Sequence, residues 1–408
     1  MRILLLHPNF PAQFRHVAAA LGRNPKHRVL FATKNERPDW NIAGVRKVLY
    51  TTESEGSPKT HALAAPFETA TLQGEAVFHM AKRLKGSGFV PDVIYGHSGW
   101  GSTLYLKDVF PDTPLLCYFE WFYDPFGADA NFDPVQPGAE KPIGLLRTRN
   151  APILNDLWAC DAGLSPTKWQ ASQFPKMFAH KIRILHDGVD VNYFKPTPDK
   201  KLKLPGLDLS HVEEIITYAA RGMEPYRGFP QFMEALSLVL AKRPRCHAVI
   251  AGSERVCYGT APADGKSYKD IMLERLNLDM ERVHFVGSLP YGQYRQVLQA
   301  SSAHVYLTRP FVLSWSAVEA MSCGCTMVAS NTPPVREAVT HGINGLLADF
   351  FSPQEIAERL EEALSDPERS AKLGQAARET ALERYALQKL LPQHIKLIED
   401  TARGRVWG

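Results

Sequence analysis

The chain has 408 residues, of which 45% are hydrophobic and 22% charged, and its formal net charge is +4. This is globular composition with room for about two domains. So small a net charge leaves no electrostatic footprint for nucleic acid as the main partner. The opening "MRILLLHPNF" has four apolar residues in a row before His7 and Pro8. That is too short for a signal-peptide core or a membrane span, and it reads as a first buried strand. In chain order, further strand-like runs are "RVLFA" (28–32), "DVIY" (92–95), "LLCYF" (115–119) and "KIRIL" (181–185). The second half adds "EIITYAA" (214–220), "CHAVIAG" (246–252), "RVHFVG" (282–287), "AHVYL" (303–307) and "CTMVAS" (325–330). Helical periods lie between them, as in "FPQFMEALSLVLAKR" (229–243) and "PQEIAERLEEALSD" (353–366). Such alternation predicts parallel sheets covered by helices on both faces, in two sheets of about five or six strands.

Residues 186–211, rich in Asp, Gly, Pro and Lys, read as the domain linker. The irregular stretch 120–142 is long for a compact domain, and loops of that length are usually functional or mobile. The six cysteines form no CxxC pair and no zinc spacing. Four of them lie in apolar runs, where free cysteine behaves as a small hydrophobe, and a cytoplasmic location fits. A GxGxxG fingerprint is missing, as is any D-x-D that would bridge a diphosphate through metal. No metal site and no cofactor are therefore expected.

Two α/β domains of similar size usually bind ligands at the carboxyl ends of their strands. "RGMEPYRGF" (221–229) puts Arg221 and Arg227, flanked by Gly222 and Gly228, after the first strand of the second half. Two guanidiniums there suit a diphosphate, and two solvated loop arginines are the alternative. "RPFVLSWSAVEAMSCGC" (309–325) leads through Phe311, Ser314, Trp315 and Ser316 into a helix that Gly324 stops. Ser316 and Glu319 have capping-box spacing. Equally, amides at that helix start would bind phosphate, with Glu319 gripping a sugar diol.

At this point the chain resembles a family. "ILHDGVDVNYFKP" (184–196), "RGMEPYRGF", "ERVHFVGSLPYGQYRQVLQASSAHVYLT" (281–308) and "SAVEAMSCGCTMVASNTPPVREAVTHGINGLLA" (316–348) are similar, in order, to the GT4-type retaining glycosyltransferases of the GT-B fold. The resemblance covers most of residues 180–350 and is weak in the first half. It implies two doubly wound Rossmann-like domains facing across a cleft. The expected boundaries are 1–186 on the acceptor side, 187–385 on the nucleotide-sugar side, and 386–408 as a helix returning to the first domain. It also implies that Arg221 and Arg227 hold the nucleotide diphosphate, with Gly222 beside them. Glu319 would bind the ribose hydroxyls, and Gly287, Ser288 and Leu289 would lie near the base.

The chain also departs from the family pattern. The usual first glutamate of an E-x7-E pair falls at Phe311, or at Arg309 if two residues are inserted, and Ser314, Trp315 and Ser316 are its candidate replacements near the donor sugar. The family's Gly-Gly loop is replaced by "HPNFPAQFRH" (7–16), which offers Asn9, Gln13 and Arg15, with a buried turn around its prolines as the alternative. His97 follows a strand in "IYGHSGWG", where it is either a site residue or a histidine satisfied by backbone. Glu120 stands among Tyr118, Phe119, Trp121, Phe122 and Tyr123 at a strand end, where the family often has a histidine. His97 and Glu120 are the catalytic candidates, and a desolvated Glu120 would have a raised pKa. Asp187, after His186, is first of all a turn residue.

The expected activity is transfer of a sugar from a nucleotide-diphosphate sugar, UDP-linked before GDP-linked, to a saccharide or lipid-linked acceptor. Polysaccharide or glycoconjugate synthesis is the expected setting, with peripheral contact to the cytoplasmic membrane compatible. Two alternatives stay open: a nucleotide-sugar epimerase of the same fold, and a non-catalytic nucleotide-sugar-binding scaffold protein.

Overall fold

A run such as Ile3–Leu6 has no polar face to turn to water, so it belongs in a sheet covered on both sides. In the computed structural model all four of these side chains are fully buried. The structure describes residues 1–133 and 143–405. Residues 134–142 of the irregular stretch and 406–408 of the expected C-terminal segment lie outside the described residues. The chain divides into two units, Met1–Gly188 with Gln388–Gly408, and Val189–Leu387.

The first unit is built on β1 (Arg2–Leu6), β2 (Arg28–Thr33), β3 (Val45–Leu49), β4 (Val93–His97), β5 (Leu115–Tyr118), β6 (Ala162–Ser165) and β7 (Ile182–Ile184). All are parallel, in the order β3-β2-β1-β4-β5-β6-β7. Leu5 pairs with Phe31 on one side and Tyr95 on the other. The helix Leu387–Ala402 brings Ile398, fully buried, into the core formed by Ile3, Phe31 and Tyr95.

The second unit carries a small hairpin, β8 (Lys203–Leu204) with β9 (Leu207–Asp208). Its six-stranded parallel sheet comprises β10 (Glu214–Gly222), β11 (Cys246–Ser253), β12 (Val283–Gly287), β13 (Ala303–Tyr306), β14 (Met327–Ser330) and β15 (Leu346–Ala348). The order is β12-β11-β10-β13-β14-β15. In each sheet the winding reverses once, between β1 and β4 and between β10 and β13. Loops leaving neighbouring strands on the two sides of such a point diverge and leave a crevice at the strands' carboxyl ends.

Three sheet strands lie outside the apolar runs. β3, "VRKVL", is an edge strand with charged residues inside it, while β6, "AGLS", and β15, "LLA", are too short for a periodic signal. The sheets therefore have seven and six strands. The stretch 186–211 is not a free linker: Leu202, Leu204 and Leu209 are buried with Ile215 and Val249 in the second unit's core. That unit begins and ends on paired backbone, with the Val189 amide donating to Tyr385 and the Leu387 amide to Val189.

Ile398→Ala should cost about 2–5 kcal/mol, the usual range for emptying a core site. Urea unfolding followed by circular dichroism would show an earlier midpoint for the first transition. An unchanged midpoint would mean that the terminal helix does not hold the first unit's core.

Candidate active site

In the second unit, β10 ends on Arg221 and Gly222, and the segment after it turns through Arg227 to Gly228. Gly228 has φ +65°, and a Cβ there would stand 2.6 Å from Cβ of Leu307. Only glycine allows this close, left-handed turn into the helix Phe229–Lys242. The turn carries Arg227 inward: it is 6% exposed. Its Nη1 donates to Oγ1 of Thr308 at 2.7 Å, to the Tyr306 hydroxyl at 3.4 Å and to the Val312 carbonyl at 3.5 Å. Its guanidinium lies 5.2 Å from the Tyr258 ring centre. Burial works against the charge, but the Tyr306 and Tyr258 phenols more than offset it, and the Arg227 pKa lies above its ordinary value. Arg221 is exposed.

Glu224, fully buried, accepts the amides of Cys257, Tyr258 and Gly259 at 2.8–3.2 Å. It thereby fixes the loop that places Tyr258. Gly222 permits the approach of this loop, since a Cβ there would meet the Arg255 carbonyl at 2.3 Å.

On the other side of the crevice, the segment after β13 runs into the helix Trp315–Ser322. Its N-cap is Ser314, whose hydroxyl accepts from the Ser316 amide at 3.4 Å, so Ser316 lies inside the first turn. The capping-box reading of Ser316 and Glu319 therefore fails. Glu319 is 6% exposed and accepts a hydrogen bond from the Tyr291 hydroxyl at 3.3 Å. Burial and the Glu319 carboxylate together push the Tyr294 phenol well above its ordinary pKa. A recess of about 30 Å³ is lined by Arg221, Arg227, Tyr258, Ser314 and Ser316, among others.

Trp315 is partly exposed on the helix start. Phe311, where the first glutamate was sought, packs edge-on against Tyr226 at 5.5 Å and near Tyr258 at 5.8 Å. Arg309 is buried, 5.5 Å from the Tyr226 ring centre. Gly287 (φ +65°) and Ser288 are exposed, and Leu289 packs against the second unit's core.

In the first unit, His97 ends β4. Its Nδ1 donates to the Ser98 carbonyl at 2.8 Å, because a carbonyl only accepts. Nε2 thus faces the Gln13 amide at 3.3 Å and the Glu120 carboxylate at 3.6 Å. Gln13 also donates to Glu120 at 3.4 Å. Gln13, His97 and Glu120, separated by 84 and 107 residues from the first, form one cluster. The Gln170 side chain holds the Glu120 carbonyl at 2.8 Å. The Glu120 side chain is 38% exposed, not desolvated as its aromatic neighbours suggested. Those neighbours are largely committed elsewhere, with Phe119 and Trp121 buried and Tyr118 donating to Asp187 at 3.0 Å.

Asp187 is thus tied to the core, and the His186 ring accepts the Gly188 amide. Arg15 lies over Trp40 at 5.4 Å and Asn9 accepts from Asn35, while Gln13 hydrogen-bonds into the cluster. A pocket of about 290 Å³ opens beside it, and Gln73, Trp100, Tyr123 and Arg149 share its lining. Of these, Tyr123 was named only as a neighbour of Glu120, and Gln73, Trp100 and Arg149, like Glu224 and Tyr258, were not legible as site residues in the sequence. Among them only Glu224 had a local signal, its place between two arginines.

Among the described residues no three His, Cys, Asp or Glu side chains group to hold a metal ion. Among them, too, no helix is long and apolar enough to cross a membrane.

Two family models match the chain: the glycosyl transferase family 4 group over residues 25–194, and glycosyl transferases group 1 over residues 203–380. A D-inositol 3-phosphate glycosyltransferase of Thermobispora bispora is 25% identical over 203 residues, 48% of this chain and 45% of that protein. A GDP-mannose-dependent monoacylated alpha-(1-6)-phosphatidylinositol monomannoside mannosyltransferase of Corynebacterium glutamicum is 29% identical over 204 residues, 48% of this chain and 50% of that one. The chain thus spans about half the length of the curated relatives it matches. Among solved structures, Anabaena HepE in complex with UDP aligns with a TM-score of 0.72 at 16% identity, covering 98% of this chain and 100% of that one. Sucrose-phosphate synthase from Thermosynechococcus elongatus aligns with a TM-score of 0.75 at 18% identity, covering 98% of each. The fold is GT-B.

Beneath the first unit's pocket, Asp156 is 1% exposed and accepts from the Ser98 hydroxyl at 2.6 Å. Burial pushes its carboxyl up from 3.8 to about 6, against the lowering effect of Ser98, Thr103 and the Gly99 amide. Between those values the folded chain holds a proton that the unfolded chain has released. Stability from this group is therefore full below pH 3.8 and is lost as pH rises to about 6, a change of about 3 kcal/mol. Asp156→Asn cannot titrate, so its stability relative to wild type should rise between about pH 4 and 6 and level off above. A constant difference from pH 4 to 7 in chemical unfolding would refute the buried, proton-holding Asp156.

Proposed function

This chain belongs to the glycosyltransferase group 1, or family 4, enzymes, and on that premise we propose that it transfers a glycosyl unit from a nucleotide-diphosphate sugar to an acceptor hydroxyl with retention of configuration. The observation that carries the proposal is the convergence of Arg221, Arg227 and the Ser314 helix start on one recess at the β10–β13 switch point. One buried and one exposed guanidinium together with oriented amides suit a diphosphate, whose charge grows as the sugar leaves. Glu319, one turn into that helix, is assigned the ribose hydroxyls, and Gly287, Ser288 and Leu289 the base. Trp315, with Ser314 and Ser316, is assigned the donor sugar in place of a first glutamate.

HepE was solved with UDP and with UDP-glucose, and the Corynebacterium relative is named for GDP-mannose. UDP-glucose and GDP-mannose are nucleotide-diphosphate sugars, and the proposal takes a UDP-sugar first. The acceptor is a saccharide, free or lipid-linked. Glu120 and His97 are assigned to the acceptor side, where the carboxylate orients the incoming hydroxyl and the imidazole, held through Nδ1, keeps Nε2 towards it. In front-face retaining chemistry the leaving phosphate takes the acceptor proton, so neither residue has to serve as the base.

The two arginines differ in burial, and their alanine variants should differ accordingly. Arg221→Ala should weaken UDP binding by roughly ten-fold or more, the cost of one charge-assisted contact, with little change in melting temperature. Arg227→Ala should weaken binding at least as much and also lower the melting temperature, because Thr308 and the Val312 carbonyl lose a buried partner. Calorimetry and thermal unfolding of both variants test this, and unaltered UDP and GDP affinity in both would remove the recess as the diphosphate site.

Product analysis with UDP-sugars, with and without added saccharides, should show acceptor-dependent α-linked product. A changed nucleotide sugar formed without acceptor would instead mean epimerisation. Glu120→Gln should lower turnover at least about a hundred-fold while UDP affinity holds within a few-fold. Normal turnover in that variant would leave Glu120 as a loop residue.

A further inference from the structure

The pocket beside Glu120 has two features that the His97–Glu120 pair does not use. Gln73, on the helix Ala65–Gly86, lines the pocket and is 6% exposed, and its Nε2 is buried with no hydrogen-bond partner among the described residues. Leaving a buried amide donor unsatisfied costs about 1–3 kcal/mol, and native chains rarely carry that cost without a use. The second feature is Arg149. Its guanidinium lies 4.6 Å from the Tyr123 ring centre and lines the same wall, and among the described residues it has no carboxylate partner. Stacking on a ring holds a guanidinium flat and leaves its donors at the edge, the geometry that takes phosphate or carboxylate side-on.

The pocket's other surfaces suit a hydroxylated ring. Trp100, 46% exposed, offers a face for a sugar's C–H surface, and His97 with Glu120 offers polar atoms at one end. At about 290 Å³ the pocket is at the small end for ligand sites, which run from about 300 to 1,000 Å³. It has room for a single ring.

We propose that this pocket selects an acceptor made of one hydroxylated ring bearing an anionic group, phosphate or carboxylate. Arg149 pairs with the anion, Gln73 donates to a ring hydroxyl, and the reacting hydroxyl is left towards Glu120. The proposal presupposes the transferase reading for its biological meaning, but the binding itself does not require turnover. The anion is either part of a soluble sugar or the phosphate of a lipid headgroup, and the chemistry at Arg149 is the same.

The test uses the full chain and isothermal calorimetry with glucose, glucose 6-phosphate and glucuronate, at low and high salt. At least one of the two anionic probes should bind about ten-fold or more tighter than glucose, and the advantage should shrink with salt. Arg149→Gln should bring the charged and neutral probes within about three-fold of each other, and Gln73→Met should weaken all three about ten-fold. Both variants should keep wild-type UDP affinity. A parallel arm measures sedimentation with vesicles containing phosphatidylinositol against vesicles of phosphatidylcholine alone. Arg149-dependent binding to the former, with no soluble anionic probe bound, places the same anion on a lipid headgroup.

Equal affinity of wild type for glucose and both anionic probes, without vesicle binding, overturns the proposal whether or not the variants fold. So does an anion preference that survives in Arg149→Gln. Measuring UDP binding and sugar transfer on the same samples separates the two readings. Anion-selective binding without UDP binding would sink the transferase reading and keep this pocket. Transfer to neutral saccharides with no charge preference would do the reverse.

Discussion

A guanidinium almost wholly out of water is the constraint on which the second unit's crevice depends. Arg227 cannot shed its proton, so its charge has to be met by groups brought to it. Thr308, Tyr306 and the Val312 carbonyl come from the end of β13 and the segment after it, and Tyr258 comes from the loop after β11. The Tyr306 hydroxyl also receives the Ser314 amide, which seats the start of the helix Trp315–Ser322. One buried cation thus ties together the elements that line the recess. None of the partners named is a carboxylate, so the site keeps positive potential for an anion while the protein remains folded. Glu224 is spent elsewhere, on the three amides that hold the Tyr258 loop.

The two units treat their switch points differently. At β10–β13 the side chains are cationic and aromatic, Arg221 and Arg227 with Tyr258 beside them. At β1–β4 the corresponding edge is built from amide, imidazole and carboxylate: Gln13, His97 and Glu120. A positive recess suits a leaving diphosphate, whereas a half-exposed carboxylate beside an oriented imidazole suits hydroxyl groups. The same doubly wound architecture supports both, because the loops after the strands carry these side chains.

The departures from the family pattern have local physical accounts. Phe311 and Arg309, the two positions for the usual first glutamate, make aromatic and cation–aromatic contacts with Tyr226. In the first loop, where glycines were expected, Ala12 takes φ 44° directly after Pro11. The next residue, Gln13, is the one that reaches His97 and Glu120. Glycines therefore do not serve here as the means of backbone approach, and a side-chain amide stands near the cluster instead.

Much of the fold could be read from residues alone. A run such as residues 3–6 is a buried strand because it has no polar face, and the alternation of such runs with helical periods dictates parallel sheets. Arg221, Arg227 and Glu319 were legible because their local pattern is continuous in sequence. Edge strands such as β3 were not, since a strand with one side in water tolerates Arg46 and Lys47, and neither was the N-cap, because Ser314 and Ser316 are equivalent until the backbone chooses between them. Only tertiary structure could assemble Gln13, His97 and Glu120, or set Gln73 and Arg149 in the wall of one pocket. The reason is that hydrophobic pattern decides which strands are central, while the loops that carry polar side chains meet only after the sheet order is set. Sequence alone determined the two doubly wound units and the residues next to their strand ends; which of those residues touch was decided by the reversal of strand order at β1–β4 and β10–β13, since a side chain reaches only across the crevice that the reversal opens.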